Sequence, residues 1–273
     1  MPIASKSTEG LQPNALRREI VEMAYAGSSV HIACAFSLVE VISTLLSSTM
    51  NLGAGQEDKL RDRIFLSKGH GVMALYAAYG ALGWIDPSHL KNYFSDGSLL
   101  HGLSEARVPV LEVSSGSLGH GLPVAVGYAL GKKRAGEAGH VYCIVGDGEM
   151  NEGSMWEALL FAGHHKLENL TVIVDANGHQ AMGRIQDVIN MEPFADKFRA
   201  FGFATSDCNG HSNDELSKAF TLKNDGKPRA VIARTIKGKG LSFMEDNNEW
   251  HYRRLTPELL ESARAELAGA KNA

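Results

Sequence analysis

A chain of 273 residues, 44% of them hydrophobic, is long enough to bury a sizeable core, and with no linker in it one large α/β domain is expected. The formal charge of −4, without a long run of one sign, offers little to nucleic acid or an anionic membrane, and no stretch of about 20 uninterrupted apolar residues predicts a membrane span. Cys34, Cys143 and Cys208 are unevenly spaced and form no CxxC pair, which argues against a disulfide framework or structural zinc. With no signal-peptide core at the N-terminus, a soluble protein of the reducing cytoplasm is expected.

Residues 1–10 are expected to be flexible. From Leu11 to Ala26, Leu16, Ile20, Met23 and Ala24 fall at helical spacing between charged residues, predicting an amphipathic helix. A break containing His31 precedes a second helix over Phe36 to Ser47. A strand over Asp62–Ser67 runs into Lys68-Gly69-His70-Gly71 and an alanine-rich helix over Val72–Leu82. Free amides at such a helix start can meet an anion, although a simple capping turn looks the same. A short helix over His89–Phe94 and a loop carrying His101 follow. Gly116-Ser117-Leu118-Gly119-His120-Gly121 then leads into a helix over Val124–Arg134; alone, those glycines indicate close packing.

The stretch from Gly146 to Asn177 carries the most information. A β-prone run, His140 to Val145, and an apolar run, Leu170 to Val174, bracket a helix around Trp156, the pattern of strand, crossover helix and strand. Parallel strands end on one side, so Asp147 and Asn177, about thirty residues apart, should meet at the carboxyl edge where ligands bind. One carboxylate and one amide oxygen suit a hard cation that also holds phosphate oxygens, and Gly146 and Gly148 would let the backbone turn tightly beside the phosphate. A lone Gly-Asp-Gly is a common turn; the distant asparagine gives it weight. Beyond it come a loop through His179, a helix over Glu192–Phe201, a strand over Thr205–Cys208 and a turn at Asn209-Gly210-His211-Ser212 that caps a helix over Asp214–Phe220. A strand over Arg229–Thr235 and a closing helix over Pro257–Gly269 complete the chain. Residues 1–273 therefore read as one three-layer α/β/α domain with a mainly parallel sheet.

Gly-Asp-Gly and its distant Asn, with Glu152-Gly153 and Trp156-Glu157-Ala158 between, resembles the thiamine diphosphate fingerprint as the transketolase family writes it. Lys237-Gly238-Lys239-Gly240-Leu241-Ser242-Phe243-Met244-Glu245, followed by Trp250-His251, is similar to the split members of that family, and the resemblance runs from about Leu11 to Leu260. It implies the thiamine diphosphate-binding fold, in its diphosphate-binding domain. Magnesium, with calcium or manganese as substitutes, would be held by Asp147, Asn177 and the backbone carbonyl of His179. His70, Gly116, Leu118, Gly146, Asp147, Gly148, Glu149, Asn177 and His251 would contact the cofactor. His31, His70, His101 and His251 would be catalytic donors and proton shuttles, work suited to groups titrating near neutrality.

The implied activity is transfer of a two-carbon ketol unit from a ketose, free or phosphorylated, to an aldose. The family's second, pyrimidine-binding domain is expected on a separate chain in an α2β2 heterotetramer, with turnover only in the pair and Glu152 communicating across the dimer interface. Two departures weaken the case for ordinary pentose phosphates and point to an unusual sugar: Val30-His31-Ile32-Ala33-Cys34 where the family has small glycines, and Tyr252-Arg253-Arg254 in place of Gly-Lys-Ala-Pro. A member of a thiamine-dependent 2-oxoacid decarboxylating enzyme, or a non-catalytic cofactor-binding homologue, is the alternative. A nicotinamide-binding domain is excluded, since no Gly-x-Gly-x-x-Gly follows an early strand.

Overall fold

The computed structural model describes residues 8–269. The expectation of flexibility over 1–10 falls largely outside them, and Thr8–Leu11 forms a 3-10 turn. Three helices, α1 (Pro13–Ala26), α2 (Ile32–Phe36) and α3 (Val39–Thr44), precede β1 (Arg63–Leu66), α4 (Val72–Ala81), α5 (Pro87–Lys91) and α6 (Gly121–Ala135). The centre of the chain is β2 (Val141–Gly146), α7 (Gly153–His164) and β3 (Leu170–Ala176). A small hairpin, β4 (His179–Gln180) and β5 (Gly183–Arg184), then leads through α8 (Ile185–Val188), α9 (Phe194–Ala200), β6 (Ala204–Asn209), α10 (Asn213–Phe220) and β7 (Arg229–Arg234) to α11 (Pro257–Gly269).

Five strands form one wholly parallel sheet in the order β1-β2-β3-β7-β6. Its central strands are buried on both faces, and alternate residues serve two cores. Tyr142, Ile144, Ile173, Val231 and Ala233 meet the α1, α3, α4 side, whereas Cys143, Val145, Val172, Val174, Ala230 and Ile232 meet the α6, α7, α9 side. That is the three-layer α/β/α arrangement expected.

Local chemistry explains where boundaries differ from the sequence reading. The helix expected over Phe36–Ser47 is divided at Ser37, whose hydroxyl donates to Cys34 O at 3.2 Å and to Asp175 Oδ2 at 2.7 Å, and it continues beyond α3 as a π-helical turn over Leu45–Thr49. The run Ile32–Thr49 is apolar and long enough to cross a membrane by length and composition, but 83% of it is buried inside the fold. Helix α5 begins earlier than expected because Asp86 caps it, accepting from Ser88 N at 2.8 Å, with Pro87 at its first position. Ser212 caps α10 as expected, accepting from Glu215 N at 3.3 Å.

Candidate functional site

A cavity of about 460 Å³ opens at the carboxyl edge of β2 and β3, the edge at which both chain segments leave the sheet. Parallel register sets Gly146 beside Asp175, so Asp147 emerges next to the β3–β4 connection. Its Oδ1 accepts from Gly148 N at 2.8 Å and its Oδ2 from Gly178 N at 2.6 Å, binding the two connections together. Asn177 lines the same cavity; its amide donates to Asp175 Oδ2 at 3.0 Å, which leaves its oxygen with His179 N at 3.0 Å.

Asp147 is 2% exposed and makes no ion pair among the described residues. Burial, reinforced by the charge of Asp175, pushes its carboxyl up to about 7. A buried carboxylate with two N–H donors and no ion-pair partner is the environment that a divalent cation would relieve. No three His, Cys, Asp or Glu side chains are grouped so as to hold a metal ion among the described residues, nor does a site of one carboxylate, one amide oxygen and one backbone carbonyl require it. The His179 ring pairs with Asp246, its Nε2 lying 2.7 Å from Oδ1, while its Nδ1 is buried without a hydrogen-bond partner among the described residues.

Beneath Asp147 lies a fully buried ion pair, Lys68 with Asp175. Asp175 also accepts from Ser37, Thr235 and Asn177, and this donor set, led by Lys68, holds it ionised below the ordinary carboxylate range despite burial. Lys68 and Lys237 bring positive charge to the cavity lining beside Asp147, an arrangement suited to an anion held partly through a metal. Gly146 and Gly148 do not have the positive φ that a tight turn would demand. Their use is space: a Cβ at 148 would lie 2.8 Å from Gln180 Cβ, and one at 146, with no neighbour closer than 3.8 Å, would take room from the cavity.

Three of the four expected histidines converge. The rings of His31, His70 and His251 form a triangle with centroids 5.4, 5.5 and 5.1 Å apart. His31 sits in a left-handed conformation, φ 66°, at the break before α2, and its N–H donates to His251 O at 3.2 Å. None of the three titrates near neutrality. Burial, then the charges of Lys237 and Lys68, lowers His31 to about 4; burial and Lys237 lower His251 to about 3; burial and Lys68 lower His70 well below its usual value. At neutral pH they are uncharged imidazoles that donate and accept hydrogen bonds, which corrects the expectation of groups poised near pH 7.

The description "Transketolase, thiamine diphosphate binding domain" matches residues 12–271. The chain belongs to the transketolase family. It is 38% identical over 261 residues to an apulose-4-phosphate transketolase subunit of Actinobacillus succinogenes, covering 93% of each chain. It is 36% identical to the 6-deoxy-6-sulfo-D-fructose transketolase subunit SqwG of a Clostridium species, covering 94% of both. Campylobacter jejuni transketolase superposes with a TM-score of 0.87 at 30% identity over 95% of this chain, which spans 42% of that longer one.

Within this transketolase framework not every expected residue reaches the cavity. The His101 ring is half-exposed and is held by Glu105 at 3.0 Å and Arg107 at 2.8 Å; Leu103 reaches the cavity instead. Glu149 lines the cavity but spends its oxygens inside the protein, accepting from Ser67 Oγ at 2.6 Å, Gly119 N at 3.0 Å and Gly146 N at 3.2 Å. Its part is to pin the Gly116–Gly121 turn, with Gly116 and Leu118 on the lining, against β2. Glu152 is exposed at the start of α7.

Sequence reasoning misses Lys68, Asp175, Lys237 and Cys34, all at the site. Lys68 stands two residues before His70, and Asp175 near the end of β3 stands two residues before Asn177, which follows that strand. Two oppositely charged residues at the tips of parallel strands are the available signal.

Proposed function

We propose that this chain is the diphosphate-binding subunit of a two-component transketolase that moves a two-carbon ketol unit from a ketose to an aldose. The observation that carries it is the buried Asp147 carboxyl without an ion-pair partner of its own, in one cavity with two lysines and three neutral imidazoles. Relatives named as transketolases or their subunits favour ketol transfer over the 2-oxoacid alternative.

Asp147, the Asn177 oxygen and the His179 carbonyl would hold magnesium, for which calcium or manganese could substitute. Lys68 and Lys237 would face the diphosphate, with Gly146 and Gly148 leaving it room. Bound there, thiamine diphosphate would supply the nucleophilic carbon and the electron sink that breaking a ketose carbon–carbon bond needs. The chain's own contribution is hydrogen bonding. His31, His70 and His251 surround the cavity with uncharged N–H and bare nitrogen atoms, which can stabilise a developing oxyanion and relay a proton between substrate oxygens without a standing positive charge.

Relatives of matching length that are named as subunits support a separate partner chain; we assign to that partner the pyrimidine-binding domain in an α2β2 assembly, with Glu152 communicating between active sites. Three free thiols suit a cytoplasmic location. Tyr252, 63% exposed and 5.5 Å from the His31 ring, lines the cavity where the family resemblance leads one to expect glycine, and supports an unusual sugar as substrate.

The test is reconstitution with the candidate partner chain, magnesium and thiamine diphosphate, and measurement of ketol transfer from xylulose 5-phosphate beside branched and 6-deoxy-6-sulfo ketoses. Ketol transfer from one of them is expected; carbon dioxide release from a 2-oxoacid without ketol transfer would overturn the reading.

A further inference from the structure

We infer that Lys237 is a positioning residue that fixes His251 in the tautomer with a bare Nδ1 and a proton on Nε2, so that an N–H donor faces the cavity. A chain of polar contacts sets this direction. Asn248 Nδ2 donates to Ala181 O at 3.1 Å, which fixes the amide so that its oxygen points the other way. That oxygen accepts from Lys237 Nζ at 3.1 Å. Lys237 Nζ also lies 3.1 Å from His251 Nδ1, and an ammonium has no lone pair, so the imidazole nitrogen must be the acceptor.

Cys34 Sγ, on α2, lies 3.7 Å from the same nitrogen. Burial raises that thiol's pKa, so it too is a proton donor toward Nδ1. With two donors directed at Nδ1, the ring proton resides on Nε2, which has no hydrogen-bond partner among the described residues and belongs to a ring on the cavity lining. The backbone is tied as well, through His31 N and His251 O. A ring so held offers the cavity a donor for a substrate or cofactor oxygen. The usefulness of that donor to ketol transfer rests on the function proposed above; the tautomer does not.

The full chain labelled with nitrogen-15 in its imidazoles gives the test, by two-bond nitrogen–proton correlation at pH 7, with His251 identified from the signals lost in His251→Gln. A pyridine-like Nδ1 and a pyrrole-like Nε2 are expected, the Nε2–H form in excess by on the order of tenfold or more, as suits a charge-assisted hydrogen bond. In Lys237→Met, where only the weaker Cys34 donor remains, the Nε2–H excess should fall and the His251 titration midpoint should rise from about 3. Lys239→Met is the control, since that side chain pairs with Glu245 at 3.3 Å; it should change neither.

A protonated Nδ1 in the unaltered chain would overturn the inference. So would an unchanged tautomer in Lys237→Met while the signals of the remote His140 stay in place. If Lys237→Met fails to fold, the unaltered chain and Asn248→Ala decide, the latter being expected to reduce the Nε2–H excess. None of these measurements needs cofactor, partner or turnover, so they stand or fall apart from the ketol-transfer assay.

Discussion

At the scale of single residues, Asp147 links metal binding to stability. Unfolded, its carboxyl titrates near 3.8; folded without metal, near 7. A raised folded value favours the protonated form, so its stabilising share is full below about pH 4 and is lost as pH rises through 7, a difference of about 4 kcal/mol. Urea melts of the metal-free chain should therefore show a loss between about pH 4 and 7 that Asp147→Asn lacks, and a variant with the same loss would rule this out. Calorimetry on Asp147→Asn with the partner present should show no magnesium-dependent uptake of thiamine diphosphate. The histidines make a second pH prediction: His31 should titrate near 4 in the metal-free chain, and a bound diphosphate, adding negative charge beside it, should move that midpoint upward. An unmoved midpoint under saturating cofactor and magnesium would refute it.

At the scale of elements, β1 and β3 meet through Lys68 and Asp175. Lys68→Met leaves a buried carboxylate with only neutral donors and should cost about 3–5 kcal/mol in denaturant melts, much of it recovered when Asp175→Asn is added. Equal melts for Lys68→Met and the parent chain would reject this. Helix α6 depends on Gly121, where a Cβ would stand 2.5 Å from Ser67 Cα, so Gly121→Ala should destabilise by about 1–3 kcal/mol. Most strands can be read from the sequence because a buried parallel strand leaves a continuous apolar run, as Leu170 to Val174 does. The expected helix over Phe36–Ser47 is divided because Ser37 bonds across to Asp175, and α5 starts earlier than expected because Asp86 caps it through Ser88 N, contacts that periodicity does not record.

At the scale of the whole molecule, a sheet with two sealed faces leaves its carboxyl edge as the place where polar side chains gather. Asp147 and Asn177 can be placed there from connectivity alone. Lys68 and Lys237 cannot: they come from the end of β1 and from the loop after β7, on either side of the two central strands, and only the strand order brings them to one cavity. We expect the purified chain to show no ketol transfer alone and to gain it on mixing with its companion. Substantial turnover by the single chain would remove the two-component reading.

The left-handed backbone at His31 has an evolutionary corollary. An L-residue held at φ 66° carries roughly 1–2 kcal/mol of strain that glycine would not. Laboratory selection of this chain for heat resistance alone should thus enrich His31→Gly, while selection for sugar turnover should purge it. The imidazole would then persist only as long as growth depends on the sugar.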